Sequence, residues 1–371
     1  FQFFYKYDSD NLANIHMNNN KHKELTMNKL TKIGASALCG SLAAIASANA
    51  GSLSVSGGAN MTWTKLGYGE TGNPLGMASG MTFTGSGELD NGSTVTINIA
   101  HDDKSTYSAS DIAIATPSMG TFKYDEGGGT GIDRYDDMMP TAWEETDGTG
   151  VAAGFVTVSG VGGGTDIEWA MPADMLPDGM AAYISWSPKP DGSKNTDKSA
   201  NSAGSGVDGM GWDVAVEHSA LVDGLKVFGG YSIIPKYEAA ANAVTGVNGD
   251  ERSTVLGFTY AMGGATIGYQ QSVKDLNTSV PAGASHYTNT AFGVSFSVND
   301  DLSISYGRHD SEKGTNDGKP IVEVEAESFQ IAYSMGGATI KIAETEVDNA
   351  AYVSTTAGDK EGTTVMLSLA F

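Results

Sequence analysis

One cysteine, Cys39, occurs in 371 residues. That excludes a disulfide scaffold and a cysteine metal site, and since Cys39 falls inside a leader-like segment it leaves no thiol nucleophile either. There is no apolar run of 18 residues, which excludes a bundle of membrane-spanning helices. Bases are scarce: 21 Lys and Arg stand against 44 Asp and Glu, for a net charge of −23. A chain so acidic does not hold nucleic acid through phosphate contacts; it concentrates cations and repels anions. The histidines have no metal-ligand spacing such as HExxH, and the glycine runs Gly127 to Gly129 and Gly160 to Gly164 lack the Lys-Ser/Thr and helix of a phosphate cradle. Asp133, Asp136 and Asp137 carry the hard oxygens that calcium takes, but such triplets are usually solvated. No enzyme activity, cofactor or metal is expected.

What is present begins with a leader. Met27, Lys29 and Lys32 lead into the apolar stretch Ile33 to Ala46, and Ala48-Asn49-Ala50 offers a small-x-small cleavage site before Gly51. Residues 27–50 therefore read as a secretory signal peptide and 1–26 as an upstream extension. The remaining segment, 51–371, keeps 16 basic against 41 acidic residues, a net of −25.

From Gly51 onward the dominant pattern has period two. The last ten residues are clearest: Thr363, Val365, Leu367, Leu369 and Phe371 form one row, and Thr364, Met366, Ser368 and Ala370 form the other. A strand of about ten residues tilted by about 45° spans a bilayer with its apolar row toward lipid. Because hydrocarbon offers no partner to an open edge, such strands must close into a barrel.

The same alternation recurs sixteen times. Short turns at 90–92, 117–120, 172–179, 221–224, 262–264, 299–301 and 335–337 alternate with longer segments at 65–78, 103–110, 127–163, 187–210, 235–252, 272–288, 308–322 and 345–361. Short turns on one rim and long polar loops on the other are how transmembrane barrels are built. Tyr260 to Tyr269 and Tyr333 to Ile342 repeat one Met-Gly-Gly hairpin, and aromatic residues from Trp63 to Phe371 gather near strand ends, where membrane girdles form. The expected fold is an all-β transmembrane antiparallel barrel of about 16 strands.

The signal site Ala48-Asn49-Ala50, the strand-turn-strand Ser110 to Asp125, the hairpin Thr165 to Ser187 and the terminal strand ending in Phe371 together resemble the Gram-negative general porins, most closely the alphaproteobacterial type. The resemblance covers 51–371 as a pattern. It implies a trimeric channel of the outer membrane, in contact with lipid, exported through the general secretory pathway, with its third long loop folded into the lumen.

The third long segment is 127–163. Folded inward, it would bring Asp133, Arg134, Asp136, Asp137, Glu144, Glu145 and Asp147 to the constriction. Strand parity supplies the wall: Lys123, Asp125, Glu168, Asp213, Glu217 and Lys341 all point inward. An acidic loop facing a few basic side chains gives a transverse field, and charge rings of this kind set ion preference. The expected function is passive diffusion of small hydrophilic solutes and ions with a modest preference for cations. A substrate-selective channel, and a surface protein acting as adhesin or coat, stand as alternatives.

Overall fold

The computed structural model describes residues 51–67, 73–103, 109–146, 148–190, 209–236, 249–277, 283–317 and 319–370. The upstream extension, the leader, Asp147 and Phe371 lie outside the described residues. The chain divides into the units Phe1–Ser52 and Leu53–Phe371, and the second holds the barrel.

Sixteen strands follow in order: β1 (Ser52–Leu66), β2 (Leu75–Glu88), β3 (Thr94–Asp102), β4 (Ala109–Thr116), β5 (Gly120–Asp125), β6 (Asp166–Ala170), β7 (Met180–Ser187), β8 (Gly211–His218), β9 (Leu225–Ile234), β10 (Glu251–Met262), β11 (Ala265–Asp275), β12 (Ala284–Ser297), β13 (Leu302–Thr315), β14 (Val322–Met335), β15 (Ala338–Asp348) and β16 (Lys360–Ala370). Each pairs with its neighbours in sequence, and β1 pairs antiparallel with β16 from Gly58 opposite Ala370 to Leu66 opposite Gly362, so the sheet closes. Closure gives every backbone group a partner inside the bilayer, where none could come from solvent.

The repeated hairpin is built the same way twice. Tyr260 faces Ile267 and Tyr333 faces Ile340, while Gly263 and Gly336 turn the chain at φ of 61° and 63°, a left-handed conformation that costs glycine nothing. Parity is as expected: Met61, Phe83, Ile97, Ile112, Phe122, Ile167, Trp212, Phe292, Phe329 and Ile340 are exposed on the outer wall. This belt is the lipid-facing surface of a barrel.

Several strands run further than alternation predicts. β12 begins at Ala284, β13 reaches Thr315, β15 reaches Asp348 and β16 starts at Lys360, all inside segments expected to be loop. The reason is a change in the outward row. Above Tyr306 come Arg308, Asp310 and Glu312; above Phe329 come Glu327, Glu325 and Glu323. The hydrophobic signal stops where lipid contact stops, but the hydrogen-bonded ladder continues into water. Arg308 binds Asp310 at 3.0 Å, Glu327 at 2.8 Å and Glu325 at 2.7 Å on this polar collar. Exposed ion pairs of this kind are worth at most about 1 kcal/mol each.

Candidate functional site: a constriction loop laid along the inner wall

The segment joining β5 to β6 folds into the barrel and is held there by carboxylates. At its root, the N–H groups of Gly127 and Gly128 donate to Asp125 Oδ1 at 2.6 and 2.9 Å, and Gly129 N–H donates to Asp133 Oδ2 at 2.8 Å. Thr130 Oγ1 donates to Asp166 Oδ1 at 2.8 Å, and Gly131 N–H to Glu168 Oε2 at 2.8 Å. Asp213, with no exposed surface, accepts from the N–H of Ile132 and Val161 at 3.1 Å and of Gly162 at 3.3 Å. One side chain thus clamps the outgoing and returning arms together. Charge-assisted bonds to backbone N–H groups are about twice as strong as neutral ones.

Apolar packing seats the first turn. Ile132, Tyr135 and Val158 are buried against Ala215, Phe228 and Val255 of β8 to β10, with Tyr135 and Phe228 stacked at 4.9 Å. Full burial of such side chains is worth roughly 1.5–3 kcal/mol each. The outgoing arm then crosses β11 and β12 at Gly268 and Gly293, where a Cβ would stand 2.5 and 3.1 Å from Pro140 Cδ. Glycine here permits the close approach.

Beyond that crossing, backbone groups of the loop bind side chains of the wall. Ala142 N–H donates to Ser305 Oγ at 2.8 Å; Trp143 and Glu144 N–H donate to Gln330 Oε1 at 3.1 and 3.2 Å, and Gln330 Nε2 donates back to Glu144 O at 2.6 Å. The Thr149 and Thr345 hydroxyls bond on β15. The returning arm packs Val151 and Ala153 on Val324, Ala326 and Val347, stacks Phe155 on His309 at 4.0 Å, and receives Asn289 Nδ2 at the Val156 carbonyl at 3.1 Å.

These anchors run from Asp125 at the end of β5 round to β16, where Lys360 Nζ donates to Ala152 O at 3.2 Å. The inner faces of β2 to β4, with Lys123 of β5, remain toward the open lumen and carry their own ladder. Thr84 Oγ1 donates to Asn98 Oδ1 at 2.8 Å, Asn98 Nδ2 donates to both oxygens of Asp111 at 3.0 and 3.1 Å, and Lys123 Nζ lies 4.0 Å from Asp111 and 2.5 Å from Asp125.

The expected site residues therefore separate. Asp136, Asp137 and Glu144 are exposed. Glu145 is half-buried and accepts Met139 N–H at 3.0 Å. Asp133 is half-buried, and burial pushes its carboxyl above the usual range, with Asp136, Asp137 and Asp125 adding to the rise. Arg134 is not a free base of the constriction: it pairs with Glu168, donates from Nε to Gly131 O at 2.9 Å, and lies 3.5 Å over the Tyr183 ring. Asp125, Glu168 and Asp213 point inward as parity requires, yet each is buried beneath the loop and serves as an anchor, not as pore lining. Glu217 pairs with Lys226 at 2.8 Å. Lys341 lines a cavity with Glu144.

Asn98, Asp111 and Gln330 were not singled out from the sequence. Parity places all three inward, Gln330 between outward Phe329 and Ile331, so the signal existed. What parity could not say was that Gln330 meets the loop while Asn98 bonds along the wall to Thr84 and Asp111.

A closed sixteen-stranded barrel with an apolar outer belt and a loop narrowing its lumen defines an outer-membrane channel of the porin class. The chain belongs to the Gram-negative porin family, whose family model matches residues 34–339. Solved structures agree in fold. Salmonella typhi OmpF in complex with daunomycin is similar at a TM-score of 0.64 and 13% identity, over 87% of this chain and 98% of that one. The anion-selective porin of Comamonas acidovorans gives 0.60 and 12%, over 86% and 100%. The trimer form of Vibrio cholerae OmpT gives 0.61 and 10%, over 86% and 99%. No curated protein matches the chain.

Proposed function

We propose that this porin is a diffusion channel for small hydrophilic solutes and ions with a modest preference for cations, and that it belongs to the alphaproteobacterial type. One observation carries the preference: the loop carboxylates Asp136, Asp137 and Glu144 are exposed, and the bases Arg134 and Lys123 are held by Glu168, Asp125 and Asp111. A passage in which exposed carboxylates outnumber the one lysine of the constriction that makes no ion pair among the described residues, Lys341, raises local cation concentration, more so in dilute salt, where screening is weak. The working assembly is a homotrimer, as in the trimer form of Vibrio cholerae OmpT, reached after export and removal of residues 27–50.

The test is a reversal potential across a planar bilayer in a dilute salt gradient. Cation preference is expected, and it should fall when Asp136, Asp137, Glu144 and Glu145 are changed together to Asn and Gln. Anion preference, or no response to the fourfold change, would overturn the reading. Crosslinking in mild detergent should trap trimers; a monomer alone would remove the assembly.

A further inference from the structure

Where the loop crosses β14 to β16 and β1, it leaves a cavity of about 330 Å³ lined by Asn60, Thr62, Thr64, Trp143, Glu144, Gly148, Gly150, Lys341, Thr364 and Met366. Its chemistry differs from that of the anchors. Among the described residues Lys341 makes no ion pair, and the Glu144 carboxylate meets only the neighbouring Glu145 N–H at 3.2 Å. Two opposite charges therefore line one cavity without pairing with each other. The Asn60 amide, the Thr62 hydroxyl and the Trp143 indole N–H likewise have no partner among the described residues. The Thr64 and Thr364 hydroxyls, by contrast, are bonded across the wall at 3.1 Å.

Unpaired groups of both signs facing one volume suit a ligand that carries both signs itself. An inorganic ion would satisfy one charge and meet the other as a repulsion. A neutral sugar would use the amide and hydroxyls but leave both charges to water. A small zwitterion engages Lys341 with its carboxylate and Glu144 with its ammonium, and the Trp143 ring and Met366 thioether offer an apolar surface for a side group. We propose that this cavity is a binding subsite for small zwitterionic solutes of the α-amino-acid class, used as a waystation beside the passage. The assignment rests on the diffusion-channel reading and goes beyond it by naming a preferred solute class.

Each charge contact in so wet a site is worth little, so binding is expected in the millimolar range. Ligand-observed NMR on the refolded barrel in detergent uses L-phenylalanine as probe, with phenylacetate and phenethylamine as single-charge controls, and conductance is recorded separately. Phenylalanine should bind about fivefold more tightly than either control. Lys341→Gln and Glu144→Gln should each abolish that advantage, and the exchange Lys341→Glu with Glu144→Lys should restore it, because the zwitterion can reverse. Equal binding of all three probes, or an advantage that survives both single changes, would overturn the subsite while normal conductance left the channel standing. Loss of conductance in the unaltered protein with the phenylalanine preference intact would instead sink the channel reading and leave the subsite as a binding site.

Discussion

The inner wall of the barrel is two surfaces, and they solve different problems. From β6 round to β16 the inward side chains are mostly small or bonded to the loop: Ser185, Ser232, Ser272, Ser305, Ser328 and Ala343 are all buried, and Asp213 and Gln330 spend their oxygens on loop N–H groups. From β2 to β4, and at Lys123 of β5, the inward side chains hold one another, Thr84 to Asn98 to Asp111 to Lys123, and stay half-exposed. The first surface positions a loop and the second is left to wet the passage. An inward carboxylate is thus not by itself a pore charge, since what covers it decides its role.

The sharpest way to break the comparison is Asp213→Ala on the covered wall. It strips three buried N–H groups of their acceptor, at about 1–3 kcal/mol each. Proteolysis within 127–163 and a larger conductance should follow, with Asp213→Asn milder because one acceptor oxygen remains. Asn98→Ala on the bare wall should leave protease resistance unchanged. Equal protection of Asp213→Ala and the parent would show that the clamp does not hold the loop.

The same contrast extends through the thickness of the wall. Arg at Leu367, Val294 or Ile340 puts a charge toward lipid and should cost about 2–4 kcal/mol near the midplane in refolding titrations. Arg at Ser368, Ser295 or Thr339 faces inward and should cost less. Equal costs would mean that the two rows are misassigned.

The strands were legible because lipid imposes one rule on every one of them. Period two held wherever the outer row met hydrocarbon, and it failed above Tyr306, Phe329 and Ile342, where Arg308, Glu327 and Glu344 face water and the ladder continues unsignalled. The inward loop was legible only through resemblance to a family. Its seat was not, because Gly268, Gly293, Ser305 and Gln330 read as ordinary inward residues until Pro140, Ala142 and Trp143 are placed on them. Arg134 shows the same limit: counted as a constriction base, it is taken up by Glu168 and Tyr183.

A smaller effect concerns pH. Burial raises the Asp133 carboxyl above its unfolded value, so its ionised form opposes docking of the loop. The penalty is fully present above the raised folded value and is relieved as pH falls toward the unfolded one, so through this group the docked loop gains stability on acidification. Asp133→Asn, which keeps an acceptor for Gly129 N–H, should flatten that pH dependence of protease resistance between the two values. An unchanged slope would show that Asp133 is not its source.

The division of the wall is tested most directly by chemical access from the lumen. In a Cys39→Ser background, Thr82→Cys on the bare wall and Ser272→Cys on the covered wall both point inward, but only the first faces open water. A charged methanethiosulfonate reagent applied to the open channel should step the conductance down through Thr82→Cys and leave Ser272→Cys unchanged. Equal and rapid modification of both would mean that the loop does not lie along the inner wall from β6 to β16.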